Sequence, residues 1–161
     1  MTEIKASVQI NATVDKAWNV VSDLDRESKF WNNITKVRTL STENNVVKRE
    51  ITIGKTDRCL QTVTLYPKEK ILAEFTKGII GGTKTTTVTP SADGTKLEIL
   101  WDVKFKGMAG FMSGKLGSDL QDHTEQALLA IKHAAEGSTL PSSFTMETRS
   151  HWADMIDSNK K

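Results

Sequence analysis

The sequence predicts an α+β domain: a strongly curved, seven-stranded antiparallel sheet wrapped around one long C-terminal helix, with two short helices after the first strand. Three observations carry that expectation. Ile4, Ala6, Val8 and Ile10 alternate with polar residues at the start, and Leu97, Ile99, Trp101, Val103 and Phe105 repeat the pattern late in the chain; such alternation marks half-buried strands. From about Met108 to Glu136 the apolar spacing becomes helical. Between these segments strands follow one another without intervening long helices, which argues against a parallel α/β sheet.

The elements follow in order. Strand 1 covers roughly residues 3 to 11, with Glu3, Lys5, Ser7 and Gln9 opposite the apolar row. Thr13 suits an N-cap and Asp15 the first turn, where the helix dipole favours negative charge. Val14, Ala17, Trp18 and Val21 then form one apolar stripe. Asp23 or Asp25 caps a second short helix ending near Phe30-Trp31. From Thr35 to Phe105 a meander of six strands is expected, with turns at Asn44-Asn45, Gly54 to Asp57, Tyr66-Pro67-Lys68 and Asp93-Gly94. Gly81-Gly82 is read as the divider between Ile71-Ala73-Phe75 and a threonine-rich strand, Thr83 to Thr89. Met112, Leu116, Leu120, Ala127, Leu128 and Ile131 share one face of the long helix. Its start is rich in glycine, at 107, 110, 114 and 117, and each helical glycine costs roughly 1 kcal/mol relative to alanine.

Composition bounds the function. A chain of 161 residues, 37% hydrophobic and 26% charged, is an ordinary globular sequence. Its 22 basic and 20 acidic residues leave a net charge of +2, without the basic stripe that nucleic-acid binding requires. Cys59 is the sole cysteine, which excludes an intramolecular disulfide and a thiolate metal cluster. The N-terminus has no signal-peptide pattern, and no apolar run approaches the ~18 residues of a membrane span. Cytoplasmic residence without integral membrane association is the resulting expectation.

With its elements in this order, the chain resembles the START/SRPBCC superfamily, in its polyketide cyclase/dehydrase-like branch, which shares the helix-grip fold of the birch-pollen allergens. The residues that carry the resemblance are Ile4 to Ala12, Lys16-Ala17-Trp18, Asp23 to Trp31, Asp93 to Leu97, and Met112 to Leu116. It covers residues 3 to about 136, and its motifs are mainly structural. The resemblance implies a helix-grip domain over residues 1–137 and says nothing of 138–161, an extension in which the spacing of Trp152, Met155 and Ile156 suits a short helix. Thr13 stands where many members have proline. The resemblance also implies a cavity between sheet and helix for a lipid, sterol, quinone, hormone or polyketide. Some members are enzymes, and no single catalytic signature spans the superfamily.

Candidate site residues follow from parity and helical spacing. Arg49 shares the inward row of Val47, Ile51 and Ile53, where it can meet a carboxylate, phosphate or ligand oxygen; a bulge or a rim position is the alternative. His123 is placed near the inward face of the long helix, as a base or hydrogen-bond donor or as a solvent-touching border residue. The expected ligand-binding set is Arg49, Ile51, Ile53, Phe75, Trp101, Val103, Met112, Leu116, Leu120 and His123. Catalysis would draw on His123, Arg49 or Glu74. Gly107, Met108, Gly110, Phe111 and Gly114 are candidates for a lid, against the alternative of tight helix-sheet packing. The row Thr83, Thr85, Thr87 and Thr89 could offer hydroxyls to a ligand, and a solvated strand face explains it without function. No two histidines stand at metal-ligand spacing, and nothing calls for a metal or cofactor. Three functions remain open: carriage or sensing of a small hydrophobic molecule, a cofactor-free cyclase or dehydratase, and a protein-interaction module using the C-terminal tail.

Overall fold

The computed structural model of the protein describes residues 2–107 and 113–137. Met108, Gly110, Phe111, Met112 and the tail with Trp152, Met155 and Ile156 lie outside the described residues. The strands are β1 (Thr2–Ile10), β2 (Ile34–Glu43), β3 (Val46–Ile53), β4 (Asp57–Tyr66), β5 (Lys70–Lys77), β6 (Ile80–Ser91) and β7 (Gly94–Phe105). Helix α1 (Val14–Val21) and a 3-10 helix (Leu24–Lys29) follow β1, and α2 (Ser113–Glu136) is the last element among the described residues. The seven strands form one antiparallel sheet in the order β1-β7-β6-β5-β4-β3-β2. This is the helix-grip architecture, α+β.

Local chemistry sets the boundaries. Thr13 caps α1 by accepting from the Lys16 amide at 3.2 Å. Asn44 and Lys68 adopt φ of 55° and 61° in the β2–β3 and β4–β5 turns. The second short helix is 3-10 rather than α, and its N-cap Asp23 makes no side-chain capping bond.

Gly81-Gly82 belongs to β6, not to a turn: the reversal falls at Gly78, with φ 130°. Gly82 also has φ 110°, and a Cβ there would overlap the Asp102 carbonyl oxygen of β7. The glycine therefore serves a close backbone approach inside the sheet.

The concave face holds the core. Ile4, Ile10, Leu97, Ile99 and Val103 pack against Ala127, Leu128 and Ile131 of α2, together with Trp31, Phe75 and Trp101. Leu24, Val47, Val63, Ile71 and Ala73 form a second cluster beneath the 3-10 helix. The far end of α2 is tied to β1: Glu136 Oε2 accepts from the Asn11 amide at 2.7 Å and from Lys132 Nζ at 2.6 Å. Lys132 also donates to the Gln9 carbonyl at 2.7 Å.

Candidate functional site

Strand alternation turns Arg49 inward, between Val47 and Ile51, and leaves it 1% exposed. Its Nε donates to Gln61 Oε1 at 2.8 Å, from the facing position on β4. One terminal nitrogen reaches the Leu24 carbonyl at 3.4 Å; the other meets Glu27 Oε1 at 2.6 Å. The second oxygen of Glu27 accepts from Lys84 Nζ at 3.4 Å. Lys84 comes from the inward row of β6 with Thr86 and Val88, and is 5% exposed. Its ammonium sits 4.0 Å from the Trp31 ring centre and 5.2 Å from that of Trp101. Aromatic faces attract a cation in this geometry. The rings are themselves packed, Trp31 edge-on to Trp101 at 5.6 Å and Phe75 stacked on Trp101 at 6.0 Å. Trp101 Nε1 donates to Thr124 Oγ1 at 3.0 Å, which locks the ring to α2.

The electrostatics follow from burial and proximity. Burial pushes the Glu27 carboxyl up, but attraction from Lys84 and Arg49, with hydrogen bonds from both, outweighs it and holds the pKa near 2 instead of 4.5. Lys84 moves down from 10.5: burial dominates, Glu27 opposes it, and repulsion from Arg49 adds to it. Two buried cations and one largely buried carboxylate, with the more exposed Asp23 at the border, thus face a cavity of about 30 Å³, a volume that suits one water molecule. The rest of its wall is mainly apolar, including Val20, Phe30, Trp31, Val63 and Ile131. A larger open cleft of about 630 Å³ lies at Lys36, Arg38, Glu50 and Arg58. Arg38 and Glu50, paired there at 3.4 Å, have side chains 59% and 20% exposed, so solvent screens them.

Of the residues expected to bind ligand, Arg49 lines this cavity. Ile51, Phe75, Trp101, Val103 and Leu120 are buried in the main core, and Ile53 and Leu116 pack half-buried against it. The aromatic cluster fills that end of the grip and leaves the free space beneath the 3-10 helix. His123 is half-buried on α2, and the cavity is lined by other residues. Glu74 projects from the outer face of β5 between buried Ala73 and Phe75, away from the cavity. The threonine row also faces outward, while Thr86 points in. Among the described residues, Gly107 and Gly114 meet nothing within 4 Å of an added Cβ, whereas Gly117 packs near Thr2 of β1. Gly117 alone of these three shows the close approach that the glycines suggested.

Sequence reasoning missed Glu27, Gln61, Lys84 and Thr124. Three had a signal. Gln61 and Lys84 stand on inward rows, beside Cys59 and Val63 and beside Thr86 and Val88 respectively. Glu27 lies three residues from Leu24 and from Phe30, and a 3-10 helix stacks residues at that spacing on one face.

The sequence profile of the family described as polyketide cyclase / dehydrase and lipid transport matches residues 1–136. The chain belongs to this family. Solved structures support the fold. The protein TTHA0849 from Thermus thermophilus superposes with a TM-score of 0.72 at 15% identity, covering 84% of this chain and 98% of that one. The Zhui aromatase/cyclase of a Streptomyces gives 0.71 at 13% identity, covering 89% and 99%. A START superfamily protein from Mycobacterium smegmatis gives 0.65 at 21% identity, covering 80% and 94%. No curated protein matches the chain in sequence.

Proposed function

We propose that the protein binds a small, mainly hydrophobic molecule of the lipid, quinone or polyketide class against the concave face of its sheet, beneath α1 and the 3-10 helix and beside Ile131 of α2. The observation that carries this reading is the cavity itself: a partly open, mainly apolar space with a compact set of largely buried charged groups on one wall, Arg49, Lys84 and Glu27. Apolar walls with a few placed polar groups are the usual composition of a small-molecule site. Membership of a family described by cyclisation, dehydration and lipid transport supports the same class. The present space of about 30 Å³ is far below the roughly 300–1,000 Å³ of ligand pockets. Binding therefore requires the wall to move, and the short 3-10 helix with Phe30 forms one side of it. Burying apolar ligand surface yields roughly 25 cal/mol per Å² before the costs of association and opening.

Binding fits this wall better than proton transfer does. Glu27 is held as a carboxylate by its two cations, an arginine does not release its proton in proteins, and Lys84, its pKa lowered by burial, is left without a second proton-transfer group beside it among Arg49 and Glu27. Native mass spectrometry of gently purified protein, followed by organic extraction, tests the reading. A discrete stoichiometric adduct released as a lipid, quinone or polyketide is the expected result. An empty protein that also fails to saturate with members of all three classes would overturn it.

A further inference from the structure

Among the described residues, the three largely buried ionised side chains on the cavity wall do not cancel in charge. Arg49 and Lys84 bring two positive charges against one carboxylate, and side-chain exposures of 2%, 6% and 16% for Arg49, Lys84 and Glu27 leave little water to screen the remainder. Asp23, the other acid lining the cavity among the described residues, has a side chain 47% exposed and is engaged by Arg26 at 3.5 Å. An uncompensated charge in such a place is costly. The two tryptophan rings offset part of the cost at Lys84. Its bond to Glu27 is nevertheless long, 3.4 Å against 2.6 Å for the bond from Arg49 to the same carboxylate. Arg49 and Glu27 thus form a complete pair, with Lys84 left as the cation in excess beside an apolar space.

We propose that the cavity takes an apolar molecule ending in an acidic group, such as a fatty-acid-like carboxylate, and that Lys84 is its anchor. The inference rests on the ligand-binding reading above and names its substrate class. The incoming carboxylate pairs with Lys84, Glu27 keeps Arg49, and the buried charges then sum to zero. The apolar body lies against Val20, Phe30 and Ile131, and the indole faces of Trp31 and Trp101 flank the head group. A neutral molecule of the same length gains the apolar contacts and leaves the excess charge as it was.

Calorimetry and intrinsic tryptophan fluorescence with dodecanoate and dodecanol, each below its aggregation limit, test the proposal on the full chain and on Lys84→Met. The wild-type protein should bind the acid about tenfold or more tightly than the alcohol, the margin of one buried charge-assisted contact. Lys84→Met should erase that preference and leave dodecanol affinity within about twofold, since the substitution removes charge and keeps apolar bulk. Equal binding of acid and alcohol by the wild-type protein would overturn the anchor while leaving the hydrophobic-ligand reading in place. Binding of neither would overturn the anchor and count against the ligand reading itself. The wild-type comparison decides the matter even if Lys84→Met fails to fold.

Discussion

Replacing Glu27 with glutamine isolates the buried charge cluster from its shape. Glutamine keeps the length and an oxygen for Arg49 but removes the negative charge facing Arg49 and Lys84. In the folded protein the Glu27 carboxyl titrates near 2 instead of 4.5. At about 1.4 kcal/mol per tenfold change, that difference gives about 3 kcal/mol of stability for the ionised form. Its side chain is 16% exposed, so solvent screening removes little of it. Because the folded pKa lies below the unfolded one, the contribution is complete above about 4.5 and is lost as pH falls toward 2. Urea unfolding followed by fluorescence should place the Glu27→Gln midpoint about 1 to 2 M below wild type at pH 7. The gap should shrink steadily between pH 4.5 and the acid limit of folding. A gap that stays constant from about pH 7 to about pH 3, or one below about 1 kcal/mol at neutral pH, would refute the charge argument.

Further outcomes follow from the same geometry. Thr124→Val takes the acceptor from Trp101 Nε1 and should cost about 1–3 kcal/mol by thermal unfolding, whereas Thr124→Ser should be close to neutral. Gly82→Ala forces a methyl group against the Asp102 carbonyl at a φ of 110°; the expected result is a loss of at least about 2 kcal/mol or failure to accumulate as soluble protein, and a wild-type melting temperature would contradict it. Cys59 is 1% exposed, and burial pushes its thiol pKa up from 9.0. Ellman's reagent should therefore modify it about 100-fold more slowly in native protein than in urea, and comparable rates would show that β4 opens readily.

Much of this fold was legible because the sheet repeats one simple rule. Alternation placed Ile4, Leu97 and Trp101 on the concave face and turned Arg49 toward it with Val47 and Ile51. The turn residues did as much for the hairpins, where Asn44 supplies the positive φ its position requires. The site was less legible, for physical reasons. Lys84 stands on an inward row, but lysine is rarely buried, and only the paired Trp31 and Trp101 faces with Glu27 make its burial tolerable. Glu27 shares a helix face with Leu24 at three-residue spacing, but a glutamate in a short helix is ordinarily solvated, and only Arg49 and Lys84 on the strands opposite draw it inward. Nor does parity tell which end of a curved sheet remains unfilled. That depends on how Trp31, Phe75 and Trp101 interlock, which is a matter of three-dimensional packing.

The pairing of β1 with β7 also shapes how the chain acquires its structure. Ile10 lies opposite Thr95 and Ile4 opposite Trp101, whereas β2 through β7 each meet their sequence neighbour across a short turn. Local hairpins form quickly, while contacts between distant residues must first overcome the entropy of a long loop. The first-synthesised strand therefore waits for the last one, its apolar row at Ile4, Ala6, Val8 and Ile10 unpaired until β7 emerges. Closure of the sheet edge and docking of α2 become the late, shared step of folding. A slow refolding phase sensitive to changes in β1, and largely indifferent to those in the β4–β5 hairpin, is the kinetic signature of that order.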